Sequence, residues 1–131
     1  MATRSHTTDR VPGYSPTSLH VIRWTGLLTT DVGDWVTVPE YTDVTYQMIL
    51  DSGTTLAALS IEGSNEVATP AAKNTSIIND SRGYGNPITW VFADGNKFKT
   101  ALDSPLQIRP NFSGAGDSSV TVIASFKKAI F

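Results

Sequence analysis

The sequence predicts an all-β protein: an antiparallel two-sheet β-sandwich, Ig-like or jelly-roll in character, with an extended N-terminal arm. Three observations carry this expectation. Apolar residues recur at every second position in several short runs, turn-forming clusters separate the runs about every ten residues, and no comparable run shows helical spacing. Helix is therefore expected in less than about a tenth of the chain. A small closed barrel is the nearest competing architecture.

Residues 1–18 hold Thr, Ser, His, Arg and two prolines without a period, the composition of an arm that buries little apolar area and is separable from the rest. The sandwich is assigned to residues 19–131. Its first strand runs from Leu19 to Trp24, with Leu19 and Val21 on one face and Ile22 and Trp24 on the other, which asks for cover on both sides. Gly33 and Pro39 bracket "DWVTV", and Pro39 to Thr42 turns into "DVTYQMIL", where Val44, Tyr46, Met48 and Leu50 alternate with polar residues. "DSGTT" then leads to "LAALSIEGS", with Leu59 and Ile61 inward, and the order reads as a meander.

From Ser64 to Pro87 no period is sustained; a long excursion of this kind is functional or mobile, with a short helical turn expected around Ala71 to Thr75. "ITWVFADGNKFKT" places Asp94-Gly95 between residues of high β-propensity, the signature of a tight hairpin, with Trp90 in the core. In "LQIRPNFSGAGDSSVTVIASF", Leu106, Ile108, Pro110 and Phe112 alternate with polar residues. Val120, Val122, Ala124 and Phe126 repeat the period after a Gly-Asp loop, so the two runs read as a second hairpin. Pro110 lacks a ladder donor and calls for an edge strand or a bulge.

The 131 residues are enough for one domain, which at this size buries roughly two-thirds of its unfolded surface. No cysteine is present, which excludes disulfides and thiolate chemistry. Ten basic against twelve acidic residues give a net charge of −2, so there is no general field for polyanions, and nucleic acid is not an expected partner. No apolar run approaches the ~20 residues of a membrane span, and the first residues lack a secretory pattern, so the expectation is no membrane and synthesis in the cytoplasm.

No residue set reads as catalytic. His6 and His20 lie in no base or ligand motif. Asp31, Asp34 and Asp43 lack the spacing of a calcium loop and read as turn formers, and Glu62 and Glu66 read as solvated carboxylates rather than an acid and base pair. Gly83-Tyr84-Gly85 is too short for a phosphate cradle. Trp24, Trp35, Trp90, Tyr14, Tyr41 and Tyr84 could supply an aromatic platform for a sugar, although most are expected in the core. No enzyme activity, cofactor or metal is expected.

The segments "WTGLLTTDVGDWVTVPEYTDVTYQMIL", "LSIEGSNE", "ITWVFADGNKFKT" and "LQIRPNFSGAGDSSVTVIASF", in that order over about residues 22–126, resemble small β-sandwich virion structural proteins of tailed bacteriophages, of the head decoration or cement type. The chain departs from that pattern in its Ser64 to Pro87 excursion and in its arm. The resemblance implies a structural protein that binds the outside of the major capsid lattice, stabilises the head and assembles as a homotrimer. Its partners would be itself and the major capsid protein, and its place the exterior of the virion capsid, after synthesis in the host cytoplasm. A tail-associated structural protein, or a carbohydrate- or receptor-recognition module, is the alternative. Partner-contact candidates are Arg4, Arg10, Val11 and Tyr14 in the arm, with Arg82 and Tyr84 in the excursion.

Overall fold

The period-two runs become strands, and their apolar sides meet between two sheets. The computed structural model describes residues 2–9, 11–13, 19–38, 43–55, 58–91, 97–113 and 116–128. Twelve strands are formed among them: β1 (Thr3–Arg4), β2 (Thr7–Asp9), β3 (Leu19–Leu28), β4 (Val32–Gly33), β5 (Val36–Thr37), β6 (Asp43–Ser52), β7 (Ala58–Ser64), β8 (Ser76–Ile77), β9 (Thr89–Trp90), β10 (Phe98–Thr100), β11 (Gln107–Ser113) and β12 (Ser119–Lys127). A 3₁₀ turn at Ala72–Asn74 is the single helical element of the described residues, and it falls where the excursion was expected to coil.

The first sheet has the order β1-β4-β11-β7-β8, with β5 also on β11 and β9 also on β7; the second has the order β10-β6-β12-β3-β2. All pairs are antiparallel except β1 with β4. The long strands supply the core from their inward positions. Ile22, Trp24 and Leu27 of β3, Tyr46 and Met48 of β6, and Val122, Ala124 and Phe126 of β12 face Leu59 and Ile61 of β7, Trp90 of β9, and Ile108 and Phe112 of β11. Burial of this apolar set, at about 25 cal/mol per Å² removed from water, is the main source of stability.

The sandwich expectation holds, but the connections differ from a meander. From β3 onward the chain changes sheets at β3–β4, β5–β6, β6–β7, β9–β10, β10–β11 and β11–β12. The two runs of "LQIRPNFSGAGDSSVTVIASF" are therefore not a hairpin: β11 pairs with β4, β5 and β7, whereas β12 pairs with β3 and β6. The loop between them, residues 114–118, can reach about 3.3 Å per residue, ample for sheets roughly 10 Å apart. The same holds for β6 and β7 across residues 53–57. Strands β9 and β10 also sit in different sheets, so "ITWVFADGNKFKT" is a crossing; the Asp94-Gly95 turn itself lies outside the described residues.

Pro110 is central, not at an edge, because its partner strand breaks beside it. Asn111 pairs with Val32 and Ile108 with Val36, three steps on β11 against four on β4 and β5, which is the bulge alternative. Gly33 fills the space under the ring: a Cβ there would lie 2.5 Å from Pro110 Cδ and 2.6 Å from Trp24 Cδ1. A second irregularity, between Val120 and Val122 of β12, falls opposite Gly26 of β3, whose φ of 72° suits glycine.

Two segments of the expected arm are paired into the sheets. Thr3–Arg4 lies beside Val32–Gly33 in the first sheet, and Thr7–Asp9 beside Val21–Arg23 in the second. Composition missed this because the attachment is polar. Asp31 accepts from Ala2 N (3.2 Å) and Arg4 Nε (2.9 Å), Asp34 from His6 N (3.0 Å) and His6 Nδ1 (2.8 Å), and Asp9 from Arg23 Nε (2.8 Å). No apolar period is needed to make such strands.

Candidate functional site

Successive glycines that adopt positive φ can hold an intervening side chain away from the surface. Gly83 (φ 114°) and Gly85 (φ 85°) do this for Tyr84, which is 87% exposed. The turn that carries it is rigidly bonded. Asp80 N donates to Asn86 O (2.8 Å), Gly83 N to Asp80 O (3.1 Å) and Asn86 N to Gly83 O (3.3 Å). Arg82 grips the Asp80 carboxylate through Nε (3.1 Å) and Nη2 (2.8 Å). That guanidinium, with the Arg82 N–H, holds the Asp80 carboxyl below its usual range, and Asp80 in turn raises Arg82. Ser81 N also donates to Thr100 O and Leu102 N to Asn79 O, tying this segment to β10 at the edge of the second sheet.

Tyr84 overhangs a concavity of about 620 Å³. Its strap is residues 73–79, including β8; its floor is Gly63, where a Cβ would lie 2.4 Å from Pro105 Cγ; its far wall is residues 103–105. Asp103 Oδ2 accepts from Asn79 N (2.8 Å) and Nδ2 (3.0 Å), and Asn65 Oδ1 accepts from Leu106 N (3.0 Å). Ile77, partly exposed, adds an apolar strip.

A smaller concavity, about 350 Å³, lies on the other side of the strap over the outer face of β7 and β11. Glu62, although on that outward face, is only 7% exposed, because Asn111 Nδ2 donates to Oε1 and Arg109 Nη2 lies 3.6 Å from Oε2. The Arg109 guanidinium also stacks 4.6 Å from the Trp35 ring centroid, and its Nε is buried without a partner among the described residues. The reading of Glu62 as a solvated carboxylate is thus corrected: the excursion folds back over it, with Gln107 Nε2 donating to Glu66 O (2.6 Å) and Ala68 O (2.9 Å).

The other contact candidates disperse. Arg4 is engaged with Asp31, Val11 is half-buried, and Arg82 serves Asp80; Arg10 and Tyr14 lie outside the described residues. Of the aromatic platform, Trp24 and Trp90 are fully buried and Trp35 is covered by Arg109, so Tyr84 is the aromatic that stands free; Tyr41 lies outside the described residues. Among the described residues no group of three or more His, Asp or Glu side chains is gathered as for a metal ion. His6 is spent on Asp34, which also accepts from Trp24 Nε1 (2.8 Å). Asn65, Lys73 and Asp103 carry no motif and come together only through the fold.

Two carboxylates act as clamps and set an acid response. Burial pushes Asp31 up, but the N–H of Leu28, the Arg4 guanidinium and the N–H of Ala2 together bring it below the usual carboxylate range. Asp117 is held far below that range by the N–H groups of Thr54 and Thr55, with both threonine hydroxyls adding to the effect. The folded chain therefore binds these protons less tightly than the unfolded chain, and acid favours unfolding. The melting temperature should be level down to about pH 4, the unfolded carboxylate range, and fall progressively below it. Asp117→Asn should flatten part of that fall, which scans across acid pH would measure.

Comparison of the sequence with known protein families finds no match, and comparison with curated proteins finds none. Among solved structures the chain is similar to the SPBc2 prophage-derived protein YomS, with a TM-score of 0.58 and 10% identity over 82% of this chain and 93% of that one. The likeness supports the all-β sandwich as the shared fold.

Proposed function

We propose that this protein is a structural component of a tailed-phage particle, a decoration or cement protein that assembles as a trimer and binds the major capsid lattice from outside. The observation that carries the reading is the sandwich shared along nearly the whole length of a prophage-derived protein. It joins the resemblance of the ordered strand segments to virion decoration proteins.

The outer face of the second sheet supports assembly. Cross-strand register lines up Phe98, Gln47, Ile123, Arg23 and Thr7 in one row, and Thr100, Thr45, Ser125, Val21 and Asp9 in another. Phe98 is 67% exposed at the β10 edge, and the one Arg in these rows is neutralised by Asp9. A face of this kind, carrying Phe98, Ile123 and Val21 among hydroxyl side chains and with its arginine paired, resembles the centre of a protein interface more than a solvated sheet. Arg82, whose side chain stays exposed while bonded to Asp80, is a further contact in this reading.

Sedimentation of the purified chain, together with immunogold labelling of particles released by the host, tests the proposal. A trimer and gold on heads are expected. Gold confined to tails would move the protein to the tail; a monomer that labels no particle would refute the structural role.

A further inference from the structure

We propose that the concavity beneath Tyr84 binds a neutral saccharide, a use beyond the structural role above. A sugar ring has C–H faces that pack on an aromatic ring, and hydroxyls that each donate and accept a hydrogen bond. The concavity offers both surfaces. Tyr84 stands 87% exposed at its rim, with Ile77 as a second apolar element.

The polar groups are of both kinds. Asp103 accepts only; its Oδ2 holds Asn79, and its Oδ1 has no partner among the described residues. Lys73 donates only and makes no ion pair among the described residues, while Asn65 spends its carbonyl on Leu106 N and keeps its amide N–H groups for a ligand. Because Lys73 and Asp103 offset each other, the site favours a neutral polyhydroxylated ligand over an anion or a cation. Its volume of about 620 Å³ falls in the range of small-molecule sites and accommodates a short oligosaccharide.

Preorganisation separates this Tyr from an ordinary loop residue. The turn is held by the Asp80–Arg82 pair and by the Asn86 bonds, neither of which uses the Tyr84 side chain. The ring is therefore presented without the entropy cost of ordering its backbone upon binding. Replacing it should leave the fold unchanged.

The test titrates the full, ¹⁵N-labelled chain with methyl glycosides of glucose, galactose, rhamnose and N-acetylglucosamine at millimolar concentration. At least one sugar should move the amides of Asn65, Gly83, Gly85 and Ser104 saturably. Tyr84→Ala should weaken that response about tenfold with an unchanged melting temperature, and Tyr84→Phe should weaken it less. The proposal is overturned if none of these sugars moves those amides, or if Tyr84→Ala responds as the parent does. A response of the same amides to a virion protein and to no sugar would make the face a protein contact instead.

Discussion

Trp24→Ala should lower stability by about 3–5 kcal/mol, a large part of the ~5–15 kcal/mol that a domain of this size possesses. Trp24 is fully buried at the centre of β3, and its ring is wedged against Gly33, so neither neighbouring strand can collapse into the space it would leave. The loss goes beyond the cavity. Indole Nε1 is one of the donors that fix Asp34, which in turn fixes His6, so the substitution also loosens the β2 side of the second sheet. Trp24→Phe retains much of the apolar area and should cost less, and denaturant unfolding of both variants separates the cavity from the hydrogen bond. Equal, small losses in the two would show that the site relaxes and that this account of the packing is wrong.

Deleting residues 1–9 is expected to cost about 2 kcal/mol or more, since net contributions run near 1 kcal/mol per hydrogen bond and higher for bonds to charged groups. The deletion removes β1 and β2, the backbone bonds from Val32 N to Ala2 O (3.0 Å) and from Asp34 N to Arg4 O (2.9 Å), and the Ala2, Arg4 and His6 donors to Asp31 and Asp34. Opposing this, the chain no longer orders those residues, at about 1 kcal/mol of backbone entropy each, which keeps the net effect modest for so many bonds. A separable arm would leave the melting temperature unchanged. The polar clamps predict a clear fall, and they predict that Arg4→Ala and His6→Ala reproduce part of it singly.

These two expectations bear on function through the same geometry. If decoration requires a trimer, the sheet that presents Phe98 and Ile123 must keep its strand order, and its far edge is β2, held by Arg23–Asp9 and by the His6–Asp34 bond. Truncation is then expected to weaken assembly by loosening an edge of the sandwich, even where no residue of the segment touches another subunit.

The sequence by itself determined the class, the inward faces and the principal core. Alternation in "DVTYQMIL" and "VTVIASF" assigns Val44, Tyr46, Met48, Leu50, Val120, Val122, Ala124 and Phe126 to the interior; all are buried except Leu50, which is half-buried against the core. Even the 3₁₀ turn near Ala72 was legible from local composition. Tertiary structure alone decided which strands pair. A period of two states which side of a strand meets the core, and that side is the same whether the next strand lies alongside it or in the opposite sheet, so β11 and β12 read as a hairpin and fold as a crossing. It also decided the site. Gly63, Asn65, Lys73, Tyr84 and Asp103 are scattered over 41 positions without a shared motif, and only the strap folded back along β7, with the glycine-bounded turn beside it, brings them to one concavity. The N-terminal strands belong to the same class, because charged side chains carry no periodicity and their partners, Asp31 and Asp34, are identified only when the sheets bring them within hydrogen-bonding distance.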